Sequence, residues 1–94
     1  MDFETGQIVF SKSGHDKTLP FIVTAVDGEY LYLADGKNRR LEHPKRKKIK
    51  HVQGTKHVCE DIKKKLEEKS YLLDADILKA IKEYCIDTDL DFRF

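Results

Sequence analysis

The stretch QIVFSKSGHDKTLPFIVTAVDGEYLYLADG, residues 7–36, decides the fold of this 94-residue chain. Three short apolar runs, rich in β-branched and aromatic residues, favour strands; they lie at 7–11, 19–26 and 30–33. The pair Asp27-Gly28 is a strong hairpin signal between the second and third runs, and Asp35-Gly36 supplies a further turn. Because three tightly connected strands must hide an apolar face, the stretch predicts a small β-barrel.

Two further short strands are expected in the segment that follows. One lies around residues 40–41 and the other at 48–52, and the Pro44 break separates them. In the second of these strands lysines alternate with Ile49, so one face enters the barrel. The lysines on either side of Ile49 then point to solvent.

The C-terminal part changes from a strand pattern to a helical one. Apolar residues recur every three or four positions from His57 to Lys69 and again from Asp74 to Cys85, which predicts two amphipathic helices. Residues 70–73 are short enough to link a helical hairpin, and Asp74 is the expected N-cap of its second helix. The residues expected to pack are Val58, Ile62, Leu66, Ile77 and Ile81.

These patterns together predict an α+β fold that is mainly β in its N-terminal half. We expect residues 1–54 to form the barrel with a basic segment, and residues 55–94 to form a helical extension. The extension either packs on the barrel or serves as a partner-binding arm. A chain of this length has room for one small core and for no large substrate cavity, which argues against an enzyme.

Other features of the sequence exclude several kinds of protein. No apolar run is long enough to span a membrane and the N-terminus lacks a signal-peptide pattern, so a cytoplasmic monomer is expected. Catalytic motifs of the phosphate-loop and GxSxG types are missing, so no catalytic residue is assigned. The spacing of His51, His57 and Cys59 matches no familiar metal site, so we expect no metal and no cofactor. Cys59 and Cys85 are expected to be reduced thiols.

Charge is distributed very unevenly along the chain. The formal net charge is only +1 at pH 7, yet residues 37–57 hold nine basic groups and one acidic group, which gives +8. Five of the eight residues from Pro44 to His51 are permanently cationic, and two arginines precede them at positions 39 and 40. Such clusters neutralise phosphates and release counterions, and arginine can grip a phosphate with two parallel hydrogen bonds. The segment therefore predicts a nucleic-acid contact.

The sequence GQIVFSKSGHDK, residues 6–17, resembles the KOW motif of ribosomal proteins and transcription elongation factors. With ADGK at 34–37 and PKRK at 44–47, the chain resembles bacterial KOW-domain RNA-binding proteins related to large-subunit ribosomal proteins, over roughly residues 3–53. The resemblance implies an SH3-like barrel that contacts ribosomal RNA through the loop after the first strand and through the basic segment. The implied RNA-binding residues are Ser13, Gly14, His15, Asp16, Lys17, Arg39, Arg40, Lys45, Arg46, Lys47, Lys48, Lys50 and His51.

Two details bear on how RNA would be held. KOW sequences commonly have glycine after the Asp-Lys pair, whereas this chain has Thr18. Strand alternation puts Tyr30 and Tyr32 on one face and two leucines on the other, so the tyrosines are the better base-stacking candidates.

The alternative hypothesis is an SH3-like protein-interaction module in translation or transcription, docking on ribosomal or translation proteins. Steep salt dependence would distinguish phosphate binding from apolar docking.

Overall fold

The computed structural model describes residues 2–88, which form an α+β fold with one antiparallel sheet and two helices. In chain order the elements are β1 (Gln7–Ser11), β2 (Pro20–Asp27), β3 (Tyr30–Ala34), β4 (Lys45–Lys48), a 3₁₀ turn (Ile49–His51), β5 (Val52–Val58), α1 (Glu60–Glu67) and α2 (Asp74–Asp87). The sheet has the strand order β4-β3-β2-β1-β5. Neither described helix is long and apolar enough to cross a membrane.

The sheet must curl, because a very short link joins its first and last strands. In a flat sheet β4 and β5 would lie about 19 Å apart, four strand spacings. The four Cα steps from Lys48 to Val52 reach at most about 15 Å. The 3₁₀ turn between them is anchored on both sides: the Ile49 amide donates to the Glu29 carbonyl at 2.8 Å, and the His51 carbonyl accepts from the Lys12 amide at 2.8 Å.

Strand alternation sorts the apolar side chains into two cores, one on each face of the sheet. The inner core consists of Val9, Phe21, Val23, Leu31, Leu33 and Val52. The outer core lies under the helices and consists of Ile8, Ile22, Ala34, Ile62, Ile77, Ile81 and Cys85. The helices therefore pack on the sheet, and the buried isoleucines are those that the helical spacing predicts to face inward.

The two Asp-Gly turns differ in their surroundings. Gly28 has a φ of +60° and stands in the two-residue connection of the β2–β3 hairpin, as predicted, with open space where a Cβ would lie. Gly36 has a φ of +81°, and a Cβ there would lie 2.3 Å from the carbonyl oxygen of Asp74. The second turn is thus pressed against the first residue of α2, where only glycine fits.

The predicted strand around residues 40–41 is wrong, because side chains hold this region in turns. The Asp35 carboxylate accepts hydrogen bonds from the Lys37 and Arg39 amides, both at 2.8 Å. The Leu41 amide donates to the Asp74 carboxylate at 2.7 Å, which ties it to α2 instead of a neighbouring strand. This bond uses the carboxylate that was expected to cap α2.

Other predicted boundaries also need correction. The strand expected at 48–52 is interrupted by the 3₁₀ turn, and β5 continues to Val58. Helix α1 therefore begins at Glu60 and not at His57. The N-cap of α2 is Leu73, whose amide donates to the Asp76 carboxylate at 3.0 Å. Strand and helix periods overlap around residue 58, so apolar spacing alone misplaces this boundary.

Candidate nucleic-acid interface

The basic strand β4 presents its side chains to two different environments. Its register partners on β3 are Leu31 for Lys47 and Leu33 for Lys45, and both leucines belong to the inner core. Because opposite residues of an antiparallel pair share a face, these two lysines lie on the inner side. Arg46 and Lys48, one position along, lie on the outer side and are exposed.

The two inner lysines converge on one carboxylate of the loop after β1. Lys47 Nζ donates to Asp16 Oδ1 at 2.9 Å and to the Ser13 carbonyl at 2.8 Å. Lys45 Nζ donates to the other carboxylate oxygen, and Ser11 Oγ donates to Oδ1 at 2.7 Å. Lys47 is only 8% exposed and Asp16 9%. We call Asp16, Lys45 and Lys47 the buried ion cluster.

The buried ion cluster is electrostatically satisfied. Burial alone would raise the pKa of Asp16, but hydrogen bonds from Lys45, Lys47 and Ser11 outweigh it and hold that pKa well below its usual range. Across residues 2–88, every buried side-chain nitrogen and oxygen has a hydrogen-bond partner. The cluster therefore fastens the loop to β4 in an ionised state at neutral pH, and Lys47 has little surface left for a ligand.

The outer side of β4 combines cations with aromatic rings. The Arg46 guanidinium carbon lies 3.8 Å from the centroid of the Tyr30 ring, and Lys48 Nζ lies 5.8 Å from the same centroid. Both tyrosines of β3 are half-buried, with Leu31 and Leu33 fully inside. This agrees with the predicted alternation. A guanidinium over a ring is held in place while its edge stays free for hydrogen bonds.

The other predicted RNA-binding residues are dispersed around this strand. Ser13 and His51 are partly buried. The exposed ones are Gly14, His15, Lys17, Arg39, Arg40 and Lys50. The structure therefore brings the loop residues Ser13 and Asp16 onto the inner lysines, while the two arginines lie in the turn after β3.

The residues predicted from the sequence do not include Ser11, the last residue of β1, or Lys12, which follows it. Ser11 is 2% exposed and holds the Asp16 carboxylate, a role that no motif signals. Lys12 is exposed and lines a shallow recess with Phe10, Lys17 and Gln53. Lys12 directly follows an apolar strand and precedes a loop that returns to the end of that strand. This pattern could have predicted an exposed cation there.

Thr18 has a backbone conformation that glycine adopts more readily than other residues. Its φ is +72°, in the left-handed region that favours glycine. In this conformation its amide donates to the Ser11 carbonyl at 2.8 Å and closes the loop. A β-branched residue thus stands at a position whose φ favours glycine.

The cysteines and histidines of the described residues form no metal site. Within residues 2–88, no three His, Cys, Asp or Glu side chains could together hold a metal ion. Both cysteines are free thiols. Burial raises the pKa of Cys59, with Glu83 and Asp61 adding to it, and burial raises the pKa of Cys85. Raised thiol pKa values disfavour the reactive thiolate.

A scan of protein-family models and a search of curated proteins found no match to the chain. Its function is therefore argued from the side chains of the site.

Proposed function

We propose that this protein is a non-enzymatic RNA-binding protein of the KOW type, with ribosomal RNA as its partner. The observation that carries the proposal is the outer side of β4, where Arg46 and Lys48 project from a sheet and lie over Tyr30. Cations fixed beside an aromatic ring suit a phosphate backbone and unstacked bases. Binding to ribosomal RNA would occur in the cytoplasm.

The strand order supports the SH3-like barrel that the KOW resemblance implies. A single 3₁₀ turn links β4 to β5, the two edge strands of the sheet, and the inner core lies on one face of that sheet. In such a barrel the basic groups would stand on hydrogen-bonded strands, so little backbone entropy would be lost on binding.

The geometry reduces the set of cations that can contact phosphate. Lys45 and Lys47 are engaged by Asp16. Of the seven predicted RNA-binding cations between positions 39 and 50, five exposed ones remain: Arg39, Arg40, Arg46, Lys48 and Lys50. If all five contact phosphates, log affinity should fall against log salt with a slope of about −3.5 to −4.5.

The test compares the parent with Arg46→Glu/Lys48→Glu in titrations against structured ribosomal RNA fragments at several salt concentrations. Reversal of two contacts should weaken binding to all fragments and flatten the slope by about 1.5, because phosphate contacts position the protein without reading bases. The matched control is Lys64→Glu/Lys79→Glu, the same charge change at exposed positions of α1 and α2. Circular dichroism checks folding.

The control should retain more affinity than the strand variant. Equal losses in the two variants would mean that only net charge matters. Unchanged affinity and slope in a folded Arg46→Glu/Lys48→Glu variant would overturn the proposal and favour a protein-interaction module in translation or transcription.

A further inference from the structure

Four side chains form a compact block on the outer side of β3 and β4. Tyr32 is the register partner of Arg46, and Tyr30 is the register partner of Lys48. Because Cβ atoms of opposite residues lie about 5 Å apart, the four occupy one continuous surface. We call it the tyrosine–arginine patch. It joins two rings and two cations on a sheet whose backbone is fixed by hydrogen bonds.

The two tyrosines of the patch have different neighbours. Arg46 reaches diagonally and places its guanidinium 3.8 Å from the Tyr30 ring centroid, although its register partner is Tyr32. On its other side Tyr32 lies opposite a β-bulge of β2: its register partner is Ala25, an exposed residue with only a methyl side chain, and the Thr24 hydroxyl donates to the Tyr32 carbonyl at 3.1 Å. A methyl group is too small to cover a phenol ring. The register partners of Tyr32 are thus a residue with a methyl side chain on β2 and, on β4, an arginine whose guanidinium lies over Tyr30.

We infer that the tyrosine–arginine patch binds an unpaired nucleotide, whose base stacks on Tyr32 while the adjoining phosphates contact Arg46 and Lys48. This rests on the proposed function and names the form of RNA recognised. Tyr30 is a positioning residue: its ring holds the guanidinium beside the place where the base stacks.

Base stacking on Tyr32 would let the patch distinguish single-stranded RNA from duplex RNA. In a duplex the bases are stacked on one another and cannot lie flat on a protein side chain, whereas bases in loops and single strands can. Phosphates are present in both forms. The patch should therefore prefer unpaired RNA, and the preference should depend on Tyr32, while the salt dependence should depend on Arg46 and Lys48.

The experiment uses the full chain with two RNA probes of equal length. One is a single-stranded 12-mer containing 2-aminopurine, whose fluorescence falls when it stacks, and the other is a blunt 12-base-pair RNA duplex. The variants are Tyr32→Phe, which keeps the ring, and Tyr32→Val, which removes it while keeping a strand-favouring side chain.

The parent should bind the single strand more tightly than the duplex, with quenching of 2-aminopurine. Tyr32→Phe should behave like the parent. Tyr32→Val should lose about tenfold in affinity for the single strand and the quenching with it, while its duplex affinity and salt slope stay near the parent's.

Two results would overturn the inference, and they are distinguishable. If the parent binds RNA but Tyr32→Val binds the single strand equally well, the stacking site is wrong while the proposed function stands. If the parent binds neither probe nor the ribosomal fragments, both fail.

Discussion

The two sides of β4 both carry cationic side chains but place them in different surroundings. Lys47 is 8% exposed and lies against Asp16, whereas Lys48, its neighbour in sequence, is exposed and lies near a tyrosine ring. The strand pleat alone separates them. A count of cations therefore overstates the number that are free to contact a phosphate, because Lys45 and Lys47 pair with Asp16.

The inner side explains how a basic strand can border an apolar core. A buried ammonium is costly unless it is paired and hydrogen-bonded. Here Lys47 Nζ has the Asp16 carboxylate and the Ser13 carbonyl as acceptors. Ion pairing thus fastens the loop after β1 to β4, and the outer side is left to contact other molecules.

The largest expected difference between the two sides is in stability. Lys47→Ala removes a buried ion-pair partner and should lower the free energy of unfolding by about 3 kcal/mol. Lys48→Ala, the same change on the exposed side, should alter it by less than about 0.5 kcal/mol. Urea denaturation of both variants measures the two losses. Equal losses would show that Lys47 is not buried in an ion pair while Lys48 is exposed.

A smaller effect is expected from acid, through Asp16. Its pKa is lowered in the folded protein, so the unfolded chain binds more protons at low pH and the stabilisation present above about pH 5 is lost as the pH falls. Asp16→Asn cannot titrate. The parent's advantage over this variant should be full at pH 7 and should shrink by about 2 kcal/mol toward pH 2.

Urea denaturation at pH 7, 5, 4, 3 and 2 follows that advantage. Asp27→Asn makes the same change at an exposed carboxylate of the hairpin and should stay near the parent throughout. A constant gap between parent and Asp16→Asn would indicate that the carboxylate is not ionised in the buried ion cluster.

Much of the fold follows from local patterns, and the errors arise where tertiary contacts decide. The first three strands, the β2–β3 hairpin and the two helices were predictable, because period and turn residues agree there. The strand predicted at residues 40–41 was wrong for a reason that local sequence does not reveal. The Leu41 amide is bonded to Asp74, 33 positions away. The roles of Asp16 and Lys47 were likewise hidden, since their pairing spans 31 positions.

The smallest expected effect concerns the backbone of the loop that the inner lysines hold. Thr18 has a φ of +72°, which costs a residue with a Cβ about 1–2 kcal/mol and costs glycine almost nothing. Its side chain is exposed, so little contact is lost on truncation. Glycine also gives the unfolded chain more freedom, which offsets part of the gain.

Thr18→Gly should therefore stabilise the protein by about 0.5–1 kcal/mol, measured as a higher urea midpoint at unchanged slope. Thr18→Ala is the matched control: it also removes the hydroxyl and methyl groups, but it keeps the Cβ that disfavours the left-handed conformation. The alanine variant should not share the gain. If glycine were no more stable than alanine here, the loop would not need a left-handed residue at position 18, and the closure of the loop onto Ser11 would have to differ in solution.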